Sequence, residues 1–253
     1  MSNTDPFSLT GKRILITGAS SGIGKQTAIS CSAMGAQLII TGRNHDRLQE
    51  TANHLEGDGH VCIAADLTKE QDISLLADHS GKIDGVLHAA GISKLIPMRM
   101  LKRAHLEEML SHNTYAPILL TKELLAKRKI LKNGSIVFIS AIASHIGPVA
   151  TSAYSASKAA LMGATRSLAL EVAKQGIRVN CISPGYVRTP MLESLADGGV
   201  GTDGGYASGP LGVGEPEDIA YASIFYLSDA SRWITRNYFI IDGGLTVPMD
   251  IYA

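Results

Sequence analysis

Seven short apolar runs alternate along the chain with stretches whose apolar positions recur at helical spacing. The first run, Arg13-Ile14-Leu15-Ile16-Thr17, leads into a glycine cluster, Gly18 to Gly24, and a helical pattern follows from Lys25 to Met34, stopped by Gly35. Gln37 to Thr41 is a second strand. Asn44 then caps a helix whose buried side carries Leu48, Ala52 and Leu55. Further strands are read at His60 to Asp66, Ile83 to Gly91, Ser135 to Ser140 (entered by an Asn133-Gly134 turn), Ile177 to Ser183 and Tyr238 to Gly244. Helical patterns occupy Met98 to Leu110, Asn113 to Lys129 and Ser152 to about Ala173, and another begins at Glu215. Strands that alternate with helices pair in parallel through right-handed crossovers. The pattern therefore predicts one α/β domain over 1–253. Glycines crowd the segment from Met191 to Gly214, which is too long for an ordinary connection and is expected to be a lid around 190–214.

Composition narrows the partners. Lys+Arg and Asp+Glu are equal at 23 each, so no net field draws nucleic acid or an anionic membrane. Cys31, Cys62 and Cys181 are odd in number and unclustered, giving no disulfide or metal framework. Residues Met1 to Thr10 lack the apolar core of a signal peptide, and no apolar run approaches a membrane span. A cytoplasmic protein without a metal site is the expectation.

The candidate chemistry lies at strand ends. A strand, a glycine turn and a helix in that order let backbone approach a pyrophosphate, while the helix N-terminus receives its charge. Gly42, at the end of the second strand, offers no carboxylate for a ribose hydroxyl, whereas Arg43 offers a cation for a 2′-phosphate. This favours NADP(H), with NAD(H) possible. Ala89, Ala90 and Gly91 leave room for a ligand over the sheet edge. Tyr154 and Lys158, four residues apart, share one helix face. An ammonium group beside a phenol draws its pKa down toward a working range.

These pieces, with Asp66, Asn113, Pro184-Gly185-Tyr186-Val187-Arg188-Thr189 and Asp242-Gly243-Gly244, resemble the short-chain dehydrogenase/reductases from about Leu9 to Gly244. The resemblance implies a Rossmann-type, doubly wound, seven-stranded parallel sheet with helices on both faces, usually in a homotetramer or else a homodimer. It implies a hydride transfer between a nicotinamide coenzyme and a ketone or secondary alcohol. Tyr154 would be the acid/base, and Lys158 would lower its pKa and hold the nicotinamide ribose. Asn113 would bend its helix and anchor a water. Ser20, Ser21 and Ile23, within Gly18, Gly22 and Gly24, would line the phosphates, and Asp66 with Leu67 would meet the adenine. Pro184, Gly185, Val187 and Thr189 would seat the carboxamide.

One departure stands out. The family places a serine thirteen residues before its tyrosine, and that position is Ala141 here. Ser140 is expected to point to the other side of its strand, and Ser144 could turn inward. His88 also replaces a common asparagine. The chain could be a variant impaired so as to trap a complex, a divergent enzyme in which another hydroxyl or a water substitutes, or a nucleotide-binding subunit or sensor without turnover. The substrate stays open among acyl thioesters, sugars and small polyol-derived ketones.

Overall fold

The computed structural model describes residues 5–197 and 209–246. Seven strands form one parallel sheet: β1 (Arg13–Thr17), β2 (Gln37–Gly42), β3 (Val61–Ala64), β4 (Ile83–His88), β5 (Ile130–Ile139), β6 (Arg178–Pro184) and β7 (Tyr238–Ile241), in the order β3-β2-β1-β4-β5-β6-β7. The strands are apolar because both faces are covered. In β1, Ile14 and Ile16 join the core on one face while Leu15 joins the core on the other. The first face packs under α1 (Gly22–Ala33) and α9 (Pro216–Leu227); the second packs under α3 (Glu70–His79), α5 (Ala116–Ala126) and α7 (Ser152–Val172). This is the Rossmann-type sheet with helices on both faces.

Strand order reverses between β1 and β4, which pair from Ile14↔Gly85 to Thr17↔His88. The chains leaving these two strands diverge over the carboxyl edge, where open α/β sheets bind their ligands. α2 (His45–Ala52) starts at an Asn44 cap that accepts from Arg47 N at 2.9 Å, as the sequence indicates.

Several local features differ from the sequence reading. β5 runs through Asn133-Gly134 instead of starting after it; Asn133 takes φ 65° and the register against β4 shifts there, so the pair makes an irregularity within a strand. Met98 to Leu110 divides into a short 3₁₀ turn (Met98–Met100) and α4 (Arg103–Leu110). The helical pattern read from Asn113 has no separate start: Asn113 lies in a π-type turn, Ser111–Tyr115, that joins α4 directly to α5. A four-residue helix, α6 (Ala143–Ile146), follows β5. The first part of the expected lid is α8 (Pro190–Asp197), and its last part is tied down, Gly214 N donating to Tyr186 O at 2.9 Å. The middle of that lid, 198–208, lies outside the described residues.

Candidate functional site

The turn after β1 is held open by glycines. Gly18 has φ +69°, and a Cβ there would stand 2.7 Å from the backbone of Ala90, at the end of the neighbouring β4. A Cβ on Gly24 would stand 2.4 Å from the Gly18 carbonyl. Two backbones thus cross at a separation that only glycine allows. Ser21, at the N-cap of α1, makes no side-chain cap, so the first-turn N–H groups of that helix face the cleft without one. This is a cradle for a diphosphate, and the residues present fit a dinucleotide.

A cavity of about 280 Å³ extends from this turn, lined by Gly18, Ser20, Ser21, Gly22 and Gly24 on one side. Ala90 lies beside Gly18, and Arg43, Asp66 and Leu67 also line this cavity. The Asp66 carboxylate accepts from Thr68 N at 3.1 Å and from Thr68 Oγ1 at 2.7 Å, and the Thr68 hydroxyl holds its pKa below the usual carboxylate range. It is therefore a fixed, ionised acceptor at the end of β3. Arg47, in the first turn of α2, also lines this cavity, whereas Arg43 precedes the Asn44 cap. Sequence reasoning missed it.

A second cavity, of about 360 Å³, opens beyond the first and shares Ile23, Ala89, Gly91, Thr189 and Met191 with it. The two are ends of one cleft, each of a size that holds part of a small molecule. Tyr154 and Lys158 from α7 line this second end, as do Pro184, Gly185 and Val187 after β6. Gly185 is needed where it stands, since a Cβ there would be 2.7 Å from Asp242 Cα. The remaining walls are mostly apolar, including Leu95, Ile142, Val149 and Leu192, with a few hydroxyl-bearing residues among them. Lys158 is the only charged side chain among the described lining residues.

Asn113 lines neither cavity. It is fully buried behind Gly91, where Nδ2 donates to Ile92 O and to Ser157 Oγ, both at 2.9 Å, and Oδ1 accepts from Ile92 N at 2.9 Å. The π-type turn places this side chain between the β4 exit and α7. Periodicity could not show that, because a π turn leaves no mark on the apolar spacing.

The titration of the central pair differs from the sequence expectation. Lys158 is buried, and its Nζ donates to the Ile139 carbonyl at 2.8 Å; burial lowers its pKa to about 8. Burial pushes the Tyr154 phenol up to about 12. The acidified phenol predicted from the i, i+4 spacing is therefore not a property of the free chain. The ammonium group is drawn to the end of β5, and loss of water around the phenol decides its pKa.

The hydroxyls around Ala141 are also settled. Ser140 lines the same cavity as Ala141, and its Oγ donates to Lys158 O at 3.0 Å. Ser144 Oγ donates to Ala141 O at 2.7 Å, so it does not turn inward. Ala141 itself is buried and lines the cavity. His88 Nε2 meets Thr121 Oγ1 at 2.9 Å, and its ring stacks on Phe138. That change affects the β4 interior and not the cleft.

Residues 18–246 match the family described as enoyl-(acyl carrier protein) reductase. The chain belongs to the short-chain dehydrogenase/reductase family. It is 35% identical over 239 residues to the 3-oxoacyl-(acyl-carrier-protein) reductase of Rickettsia prowazekii, covering 94% of this chain and 98% of that protein. It is 34% identical over 242 residues to carbonyl reductase family member 4 of Danio rerio, covering 93% and 98%. A crystal structure of a short-chain type dehydrogenase/reductase from Mycobacterium marinum superposes with a TM-score of 0.85 at 32% identity, covering 96% and 99%. The protein is thus an oxidoreductase of this family that works with a nicotinamide coenzyme. Among the described residues no helix is long and apolar enough to cross a membrane, and no group of His, Cys, Asp and Glu could hold a metal ion.

Proposed function

We propose that this oxidoreductase reduces a ketone borne on an apolar chain, using NADPH, with Tyr154 as the proton donor. The observation that supports the reading is that Tyr154 lines a mostly apolar chamber continuous with the dinucleotide cradle. A bound nicotinamide coenzyme supplies the hydride. A phenol raised to about 12 is fully protonated at neutral pH, which suits proton donation better than abstraction. Lys158, charged below about pH 8, stabilises negative charge developing on the substrate oxygen and holds a ribose. Asn113 fixes the Ile92 backbone and the Ser157 hydroxyl behind them. At the far end Arg43, exposed beside Gly42, supports a preference for NADPH over NADH. Relatives named for 3-oxoacyl and carbonyl reduction support the ketone as substrate.

The same reading has one domain over 1–253, a lid over the chamber from α8 onward, a homotetramer and a cytoplasmic setting. Exposed apolar side chains on the edge strand β7 (Phe239, Ile240) and on helix faces (Leu119, Leu170) support assembly. Three free cysteines suit a reducing compartment.

Ala141 favours a second reading, a subunit that binds the coenzyme and does not turn it over. Following NADPH oxidation over a panel of aliphatic ketones and 3-oxoacyl thioesters separates the two. Under the first reading the wild type turns over and Tyr154→Phe loses roughly 10²-fold or more. No turnover by the wild type or by Ala141→Ser, with NADPH bound tightly, selects the second.

A further inference from the structure

We propose that Ser93 supplies the hydrogen bond to the substrate oxygen that Ala141 cannot. The inference rests on the ketone-reductase reading above. A carbonyl that gains negative charge in a water-poor chamber needs a second donor besides the acid that protonates it. Among the hydroxyl-bearing residues of this chamber, Ser140 donates to Lys158 O, Thr151 Oγ1 to Pro148 O at 2.6 Å and Thr189 Oγ1 to Val187 O at 3.2 Å. Tyr186 is engaged in an interaction of its own. Two hydroxyls that line the chamber, those of Ser93 and Tyr154, carry no hydrogen bond to protein among the described residues. One is the proton donor. The other is on the segment leaving β4 and lines the same chamber as Ala141.

Ser93 is also held in place from both sides. Its predecessor, Ile92, is clamped at N–H and carbonyl by the Asn113 amide. Its successor, Lys94, reaches both oxygens of Glu108 at 2.7 Å. Three residues on, Ile96 N donates to Ala150 O at 2.7 Å, tying the segment to the approach of α7. A half-buried hydroxyl on a segment fixed at both ends is preorganised, as a donor to a developing oxyanion must be. In the step itself the carbonyl carbon receives hydride from the reduced coenzyme and the oxygen receives the Tyr154 proton. Ser93 keeps its own proton and only donates a hydrogen bond, so the carbonyl becomes an alcohol and the coenzyme is oxidised.

The test uses the full-length protein with NADPH and two probes, ethyl acetoacetate and acetoacetyl-N-acetylcysteamine. Ser93→Ala is expected to lower kcat by roughly 10²-fold, with NADPH affinity by fluorescence within about twofold. Ser93→Thr, which keeps the hydroxyl, should retain most of the rate. Ala141→Ser should rescue Ser93→Ala, because it restores a hydroxyl donor to the same chamber. Binding of ethyl hydroxybutyrate to the NADP⁺ complex should weaken in Ser93→Ala, a readout independent of turnover. A kcat unchanged in Ser93→Ala overturns the proposal, as does a loss that Ala141→Ser does not lessen or that comes with loss of NADPH binding. Tyr154→Phe serves as the control. If it loses turnover while Ser93→Ala does not, the reductase reading stands and the Ser93 proposal falls. If neither the wild type nor Ala141→Ser turns over either probe, both fall.

Discussion

Lys158 Nζ donates to the carbonyl of Ile139 at 2.8 Å, across the joint between α7 and the end of β5. Burial lowers this ammonium group to about 8, while the phenol one turn away is raised to about 12. Of the two, Lys158 is the group whose titration falls near neutral pH. Since kcat/KM reports the free enzyme, its profile for ketone reduction should be level on the acid side and fall as pH rises through about 8. Below that value Lys158 is charged and can stabilise the developing alkoxide; above it the charge is gone. Lys158→Arg should move the falling limb beyond the measurable range, because a guanidinium does not titrate there. The profile is measured from about pH 6 to about pH 10. An unchanged limb in the arginine variant would assign the titration to another group.

Gly91 sets how close the polar cluster can come. A Cβ there would lie 3.0 Å from Asn113 Oδ1 and 3.1 Å from Lys158 Nζ. Neither neighbour can give easily, because Asn113 already makes three hydrogen bonds and Lys158 is anchored on Ile139. Gly91→Ala should thus cost about 1–3 kcal/mol of stability by overpacking, read from the denaturant midpoint. It should also lower turnover about tenfold or more by displacing Lys158. Full activity with unchanged stability would show that the cluster is looser than its hydrogen bonds suggest.

Much of this arrangement could be read before any coordinates, for definable reasons. β1, the glycine turn and α1 leave a strong signature because apolar period, glycine placing and order coincide. The Tyr154/Lys158 face follows from helical geometry alone. Other parts leave no trace at that level. The π-type turn at Asn113 is hidden because it is set by contacts with Ile92 and Ser157, far away in sequence. α8 is hidden by the glycines that follow it. Ser93 is a lone serine whose meaning depends on what its neighbours hold and on which other hydroxyls are engaged. The phenol pKa is missed for a related reason: spacing shows that the lysine is near, but not which acceptor holds it.

Arg43 and Arg47 are both exposed and both line the cavity beside Gly42. A coenzyme phosphate bound there would meet two cations, one on each side of the Asn44 cap. Arg43→Ala should weaken NADPH about tenfold or more relative to NADH, in line with about 1.5–3 kcal/mol for a charged hydrogen bond. Arg47→Ala should act in the same direction with a smaller loss. Because both groups are exposed, the discrimination should shrink as salt is raised. Fluorescence titrations with each coenzyme at low and high ionic strength check this. Equal losses for NADPH and NADH would remove the phosphate-pairing argument.

His88 gives a prediction about stability instead of rate. Thr121 Oγ1 donates its one proton to Pro117 O at 2.8 Å, so at the 2.9 Å contact His88 Nε2 must be the donor. Nδ1 is then a bare acceptor, and it is buried without a partner. Protonating it would put a charge in the sheet interior, and burial accordingly lowers its pKa from 6.5 to about 3. Between those two values the unfolded chain binds a proton that the folded chain refuses. Stability attributable to this group is therefore intact above about pH 6.5 and declines as pH falls toward about 3, by about 1.4 kcal/mol for each pH unit. Other carboxylates contribute to acid unfolding too, so the difference between wild type and His88→Asn is the quantity to measure. Urea midpoints at neutral pH and near pH 4.5 should show a shallower acid decline in the variant by about 2.5 kcal/mol. Parallel declines would mean that the ring finds a way to charge without cost, for instance by rotating Nδ1 toward water.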